Sequence, residues 1–180
     1  MATTTARKPS SAFDRSHLRR MKHEAMIDAA AELFNEQGYT GANLLELSKR
    51  LKVSKRTIYN YVKNKEELVY LCYKKTLSST FEALTEAMEM EDSGLNKVRY
   101  VLHRCLDDKN PTFAILTEVR GLSEPKRSEL MADSKANRDG LETLINQGIS
   151  DGSISPRDAR LTAYQIFSVM TWVPTWFCQG

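Results

Sequence analysis

Cysteine is scarce and scattered: Cys72, Cys105 and Cys178 are the three in 180 residues. No CxxC pair occurs. With His17, His23 and His103 as the three histidines, no Cys/His spacing suits a zinc site. No metal and no cofactor is therefore expected, and three free thiols point to a reducing, cytoplasmic setting. Glycine (8) and proline (5) are few, which excludes collagen-like and proline-rich chains. No apolar run approaches the roughly 18 residues of a membrane span. Arg7 and Lys8 are followed by no apolar stretch, so no secretory signal is expected. Catalytic signatures are missing too: there is no GxSxG, GxxxxGK[ST] or HExxH. The carboxylates fall on solvated faces, and an enzyme is the weakest reading.

What is present is an uneven charge. Residues 1–75 hold 15 Lys and Arg against 8 Asp and Glu, while residues 76–180 hold 11 against 15. The net +3 of the chain is thus a basic first part on an acidic remainder. That is how a polyanion-binding head on a separate body would look, as would an uneven scatter of solvated charge.

Residues 1–16 (MATTTARKPSSAFDRS) have neither helical nor strand period and read as a flexible basic arm. From there the chain reads as helices, about eight in all. Ile27, Ala30, Ala31 and Phe34 form one apolar stripe over 22–37, ended by Gly38. Leu44, Leu47 and Leu51 mark a second helix. After Lys52-Val53-Ser54 comes a short segment 55–61, with Ser54 as its cap. Asn64 and Glu67 have capping-box spacing for a fourth helix. Further helices are expected over 94–106, 112–122 (Pro111 in its first turn), from about Pro125 to Ser150, and after Ser155-Pro156-Arg157-Asp158. Pro174 should kink or end the last one. No strand alternation is present, so the fold class is all-α.

Residues 44–61 carry the chemistry. Two short helices joined by about three residues make a helix-turn-helix, and an α-helix fits the major groove of DNA. On the second helix Ile58 and Val62 are four apart and should face inward. Lys55, Arg56, Thr57, Tyr59, Asn60 and Tyr61 are left outside. Lys, Thr and Tyr suit phosphates, which fix register; Arg and Asn suit base edges, each good pair giving about 1–3 kcal/mol of discrimination. Tyr59 and Tyr61 lie about 200° apart on a helix, so both cannot serve one core. The arm 1–22, with 6 basic residues against 1 acidic, is a further candidate contact.

The run GYTGANLLELSKRLKVSKRTIYNYVKNKEELV, residues 38–69, resembles the DNA-binding domain of TetR-family transcriptional repressors. The resemblance covers about residues 22–70. It implies a helix-turn-helix domain over 17–70 and a helical dimerisation and effector body over 71–180. It implies that Ser54, Lys55, Arg56, Thr57, Tyr59, Asn60, Tyr61 and Lys65 meet DNA, with Thr57, Tyr59, Tyr61 and Lys65 on phosphates. The sequence departs from the family at several places. Ala42 stands where threonine is usual, unless Thr40 or Asn43 supplies the hydrogen bond. Lys52 stands where the turn usually has glycine; a left-handed lysine costs roughly 1 kcal/mol, so either a slightly different turn or a tolerated strain is expected. Ser48, Leu51, Arg56 and Val62 also differ.

The body resembles the family in architecture only. An aromatic-lined effector pocket is expected there, with Cys105, Phe113, Leu116, Phe167 and Met170 as candidates. Trp172 and Trp176 are expected at its mouth or at a dimer interface. The chain ends at Gly180 just after an apolar run, where the family usually adds one more helix; a short body or a cut C-terminus is expected. The reading is a sequence-specific DNA-binding regulator, a repressor released by a small hydrophobic effector. Its partners would be a pseudo-palindromic duplex operator, a second copy of itself and an unidentified effector, with no membrane. The alternative is a helical adaptor that has lost specific DNA binding.

Overall fold

The computed structural model describes residues 12–107, 119, 121–155 and 158–177, the side chains of 12–14 and 172–177 excepted. Among the described residues there are seven helices and no strand: α1 (Ala12–Gly41), α2 (Leu44–Arg50), α3 (Lys55–Tyr59), α4 (Lys65–Glu89), α5 (Gly94–Leu106), α6 (Glu124–Ser150) and α7 (Ala159–Phe177). The helix expected over 112–122 lies almost wholly outside the described residues.

Three boundaries differ from expectation. Helix α1 already begins at Ala12, inside the span expected as arm; residues 1–11 lie outside the described residues. The last helix is capped by Asp158, not Ser155: Asp158 Oδ1 accepts from the Leu161 amide at 2.9 Å, as a carboxylate at a helix start does. And α7 continues through Pro174 to Phe177. A proline so near a helix end removes one backbone bond where few remain to be made.

Gly38 has φ 69° and ψ 173°, a conformation open to glycine, and it breaks the path of α1. Helix α2 starts at Asn43, whose side chain accepts from the amides of Leu45 and Glu46. Asn43 thus supplies the cap that Ala42 cannot.

Two apolar cores result. The first joins α1 (Ala30, Ala31, Leu33), α2 (Leu47), α3 (Ile58) and the start of α4 (Leu68, Val69, Cys72) to Leu122, Leu130 and Phe167. The second joins Leu84, Val101, Cys105, Leu144, Ile145 and Met170. Four buried polar residues lie where these cores meet. Thr76 and Thr80 flank Leu77 ahead of Ala83 on α4; Ser134 and Asn137 lie between Leu130 and Leu141 on α6. Helix α4 is continuous across both cores, position 70 included. Helix α5 meets the end of α6 at Gly94, where a Cβ would sit 2.1 Å from the Gly148 nitrogen. There the Asp151 carboxylate accepts from the Gly94 amide at 2.7 Å.

Candidate nucleic-acid interface

The geometry of α3 follows from the turn before it. Lys52 adopts φ 52°, so of the two expectations, a different turn or a tolerated strain, the strain is what occurs. The Val53 amide bonds the Ser48 carbonyl at 3.0 Å and closes it. Ser54 then caps α3: its hydroxyl accepts from the Thr57 amide at 3.1 Å and lies 2.9 Å from the Thr57 hydroxyl. Ile58 and Val62 are buried, at 1% and 2% exposure. They hold the helix on the first core by their apolar side chains.

This leaves one face to solvent. Lys55, Arg56, Tyr59 and Asn60 are exposed. The Lys55 ammonium sits 5.9 Å from the Tyr59 ring centroid. Among the described residues, none of Lys52, Lys55, Arg56 and Lys63 pairs with a carboxylate. A row of unpaired cations on a helix standing out from its core attracts a polyanion.

The regular helix stops at Tyr59, two residues before the expected end, so Asn60 is its C-cap and Tyr61 follows it. Tyr61 is half-buried against the first core. Its ring stacks on His23, centroids 6.0 Å apart and planes at 21°, and the Arg19 guanidinium lies 5.9 Å from its centroid. Lys65 opens α4. Its ammonium is over the Tyr39 ring at 4.4 Å, and burial pushes its pKa below the usual lysine value. Asn64 caps α4 by accepting from the Glu67 amide at 2.8 Å, while the Glu67 carboxylate accepts from the Lys63 amide.

A family model described as "Bacterial regulatory proteins, tetR family" matches residues 26–70, and one described as "Tetracyclin repressor-like, C-terminal domain" matches residues 96–180. The chain belongs to the TetR family. It is a DNA-binding transcriptional regulator, and α2 and α3 lie within the residues matched by the first of these models. A similar protein is the fatty acid metabolism regulator protein of Bacillus subtilis (strain 168). The two are 29% identical over 86% of this chain and 85% of that one. The fold is shared with the TetR-family regulator PfmR of Thermus thermophilus (TM-score 0.71, 24% identity, 84% and 85% of the chains). It is shared also with AibR, solved with isovaleryl coenzyme A and operator DNA (TM-score 0.72, 22% identity, 88% and 89% of the chains).

In this TetR-family chain the structure brings Ser54, Lys55, Arg56, Thr57, Tyr59 and Asn60 together on and around α3, with Tyr61 and Lys65 at its flank. It does not gather the effector candidates in the same way. Cys105 and Met170 belong to the second core, Phe167 to the first. Phe113 and Leu116 lie outside the described residues, as do the side chains of Trp172 and Trp176. Tyr164, another aromatic of the body, is exposed at 43%. No helix among the described residues is long and apolar enough to cross a membrane.

Two contacts of the head escaped the sequence reading. Glu66 Oε1 accepts from the Ser123 amide at 3.0 Å and from Lys126 at 3.3 Å, tying the start of α4 to the start of α6. Arg19 and His23 pack on Tyr61. The first crosses 57 residues of chain and left no local signal. The second had one: Arg19 and His23 stand four apart, one helical turn, but the first helix is expected only from residue 22.

Proposed function

We propose that the chain represses transcription as a homodimer bound to a pseudo-palindromic operator and is released by a small hydrophobic effector. Residues 17–70 would be the DNA-binding unit, 71–180 the regulatory and dimerising unit, and 1–16 a basic arm. Each protomer places α3 in a major groove, the two about one DNA turn, roughly 34 Å, or a small multiple of it apart. Ser54, Thr57, Tyr59, Tyr61 and Lys65 hold phosphates. Lys55, Arg56 and Asn60 face bases or backbone. The observation that carries this reading is the exposed, unpaired basic face of α3 on a helix anchored by buried Ile58 and Val62.

The body supplies the coupling. An effector that prefers a body conformation with the wrong head spacing lowers DNA affinity, and DNA lowers effector affinity by the same factor. The hydrophobic class is supported by the relatives, one named for fatty acid metabolism and one holding an acyl coenzyme A. Cys105, Phe167 and Met170 are apolar surface for such a ligand. Buried thiols suit that role as small apolar groups rather than nucleophiles: burial pushes Cys72 up to about 12 and raises Cys105 too. This is a regulator of the cytoplasm and not an enzyme.

Selection of bound sequences from a random duplex pool at physiological salt tests the reading. An enriched inverted repeat is expected. A folded protein that enriches nothing would overturn it and favour an adaptor.

A further inference from the structure

We propose that the first turns of α1 form a second DNA-contacting surface, gripping phosphates beside the groove that α3 enters. The proposal rests on the operator-binding reading above. Segment 15–23, Arg-Ser-His-Leu-Arg-Arg-Met-Lys-His, holds four Lys and Arg, two His and no acid. It precedes residue 26, where the family match begins, so the DNA-binding model does not account for it. It is helical, not a loose tail, because α1 starts at Ala12.

Helical spacing puts Arg15, Arg19 and Lys22 (i, i+4, i+7) on one stripe about 10 Å long. All three are exposed, and among the described residues none has a carboxylate partner. The stripe is placed by Tyr61, which holds Arg19 and His23 against its ring. Tyr61 stands two residues beyond Tyr59, the last residue of α3, so the stripe lies beside the end of that helix. A DNA strand carries a phosphate about every 3.4 Å along its axis, so a stripe of this length meets about three. Such contacts position the protein and carry no sequence preference. Leu18 and Met21, exposed at 44% and 52%, would suit a protein partner. The excess of cations with no acid favours DNA.

The test is the salt dependence of binding to two labelled duplexes, one of arbitrary sequence and one selected from the pool. For Arg15→Ala/Arg19→Ala/Lys22→Ala, the slope of log affinity against log salt should shrink by about 0.9 per lost contact. Affinity for both duplexes should fall together, by about tenfold or more, with the preference between them unchanged. Arg15→Lys/Arg19→Lys should keep the slope, and helix content should stay the same in every variant. An unchanged slope in the triple alanine variant overturns the proposal. If in addition Leu18→Ser/Met21→Ser alters sedimentation, the surface serves a second protein instead. Wild-type protein that binds neither duplex even at low salt overturns the operator-binding reading itself.

Discussion

In the head, the side chains that shape the backbone bond their own neighbours. Asn43 takes the amides of Leu45 and Glu46, Ser54 that of Thr57, and Asn64 that of Glu67, none more than three residues away. In the body the bonds cross the chain. Lys74 reaches Glu129 and Asp133, 55 and 59 residues on. The Asn137 amide donates to the Leu77 carbonyl across 60 residues, and Asp151 accepts from Gly94 across 57. The helix starts of the head thus follow local rules. These ties of the body exist only once the chain has returned on itself. Yet the two share a core, because Leu122, Leu130 and Phe167 pack with the residues that carry α3.

That shared core sets the largest effect. Ile58→Ala removes a side chain exposed at 1% and should cost about 2–5 kcal/mol of folding stability. Because α4 runs through both cores, the loss should appear as one cooperative shift of the whole protein in urea. Near-ultraviolet signals from the body and DNA binding by the head should be lost together. A separate early transition of the head alone would break the comparison at its joint.

Acid should weaken the body more than the head. Glu129 is held below the usual carboxylate range by Lys74 and Tyr70. Asp151 is lowered by Ser153 and Gly94, and Glu66, at the joint, by Ser123 and Lys126. In the head Glu36 is lowered by Arg50. Each group is depressed on folding. Its contribution is therefore complete above the unfolded carboxylate pKa, near about 4, and is lost as pH falls through the folded value. Urea midpoints should drop between about pH 5 and pH 3. Glu129→Gln/Asp151→Asn should flatten that drop more than Glu36→Gln does. Equal flattening by Glu36→Gln would show that the head leans on charge as much as the body.

The same contrast explains what could be read in advance. Caps at Ser54 and Asn64, the break at Gly38 and the inward pair Ile58 and Val62 were legible because their causes lie within four residues. The ends of helices near undecided loops were not. Ser155 and Asp158 both have capping chemistry, and the sequence does not say which of them takes the Leu161 amide, as Asp158 does. The helical angle of about 200° already sets Tyr61 away from exposed Tyr59. What no local pattern names is the partner of its ring, His23 on α1. The link from Glu66 to Ser123 joins two polar residues unremarkable in sequence, so no local pattern could announce it.

A smaller effect tests the local rule directly. Ser54→Ala removes the hydroxyl that accepts from Thr57 and should cost about 1 kcal/mol. It should weaken DNA binding while leaving the spectroscopic signature of the body intact. Ser153→Ala, which frees the Leu95 amide 58 residues away, should leave the binding of short duplexes unchanged.

The smallest effect is at Lys52, where two terms oppose. Its φ of 52° costs a side-chain-bearing residue roughly 1 kcal/mol that glycine is spared. Glycine in turn leaves a freer unfolded chain, worth about 0.4–1 kcal/mol against the fold. Lys52→Gly should therefore move stability by less than about 0.5 kcal/mol. The ammonium is exposed and next to α3, so its removal should lower the salt slope of DNA binding by about 0.9. A stable variant with a reduced slope would mean the strain is retained for a phosphate contact. A more stable variant with an unchanged slope would mean that lysine there is only tolerated, and that the turn needs no charge to read DNA.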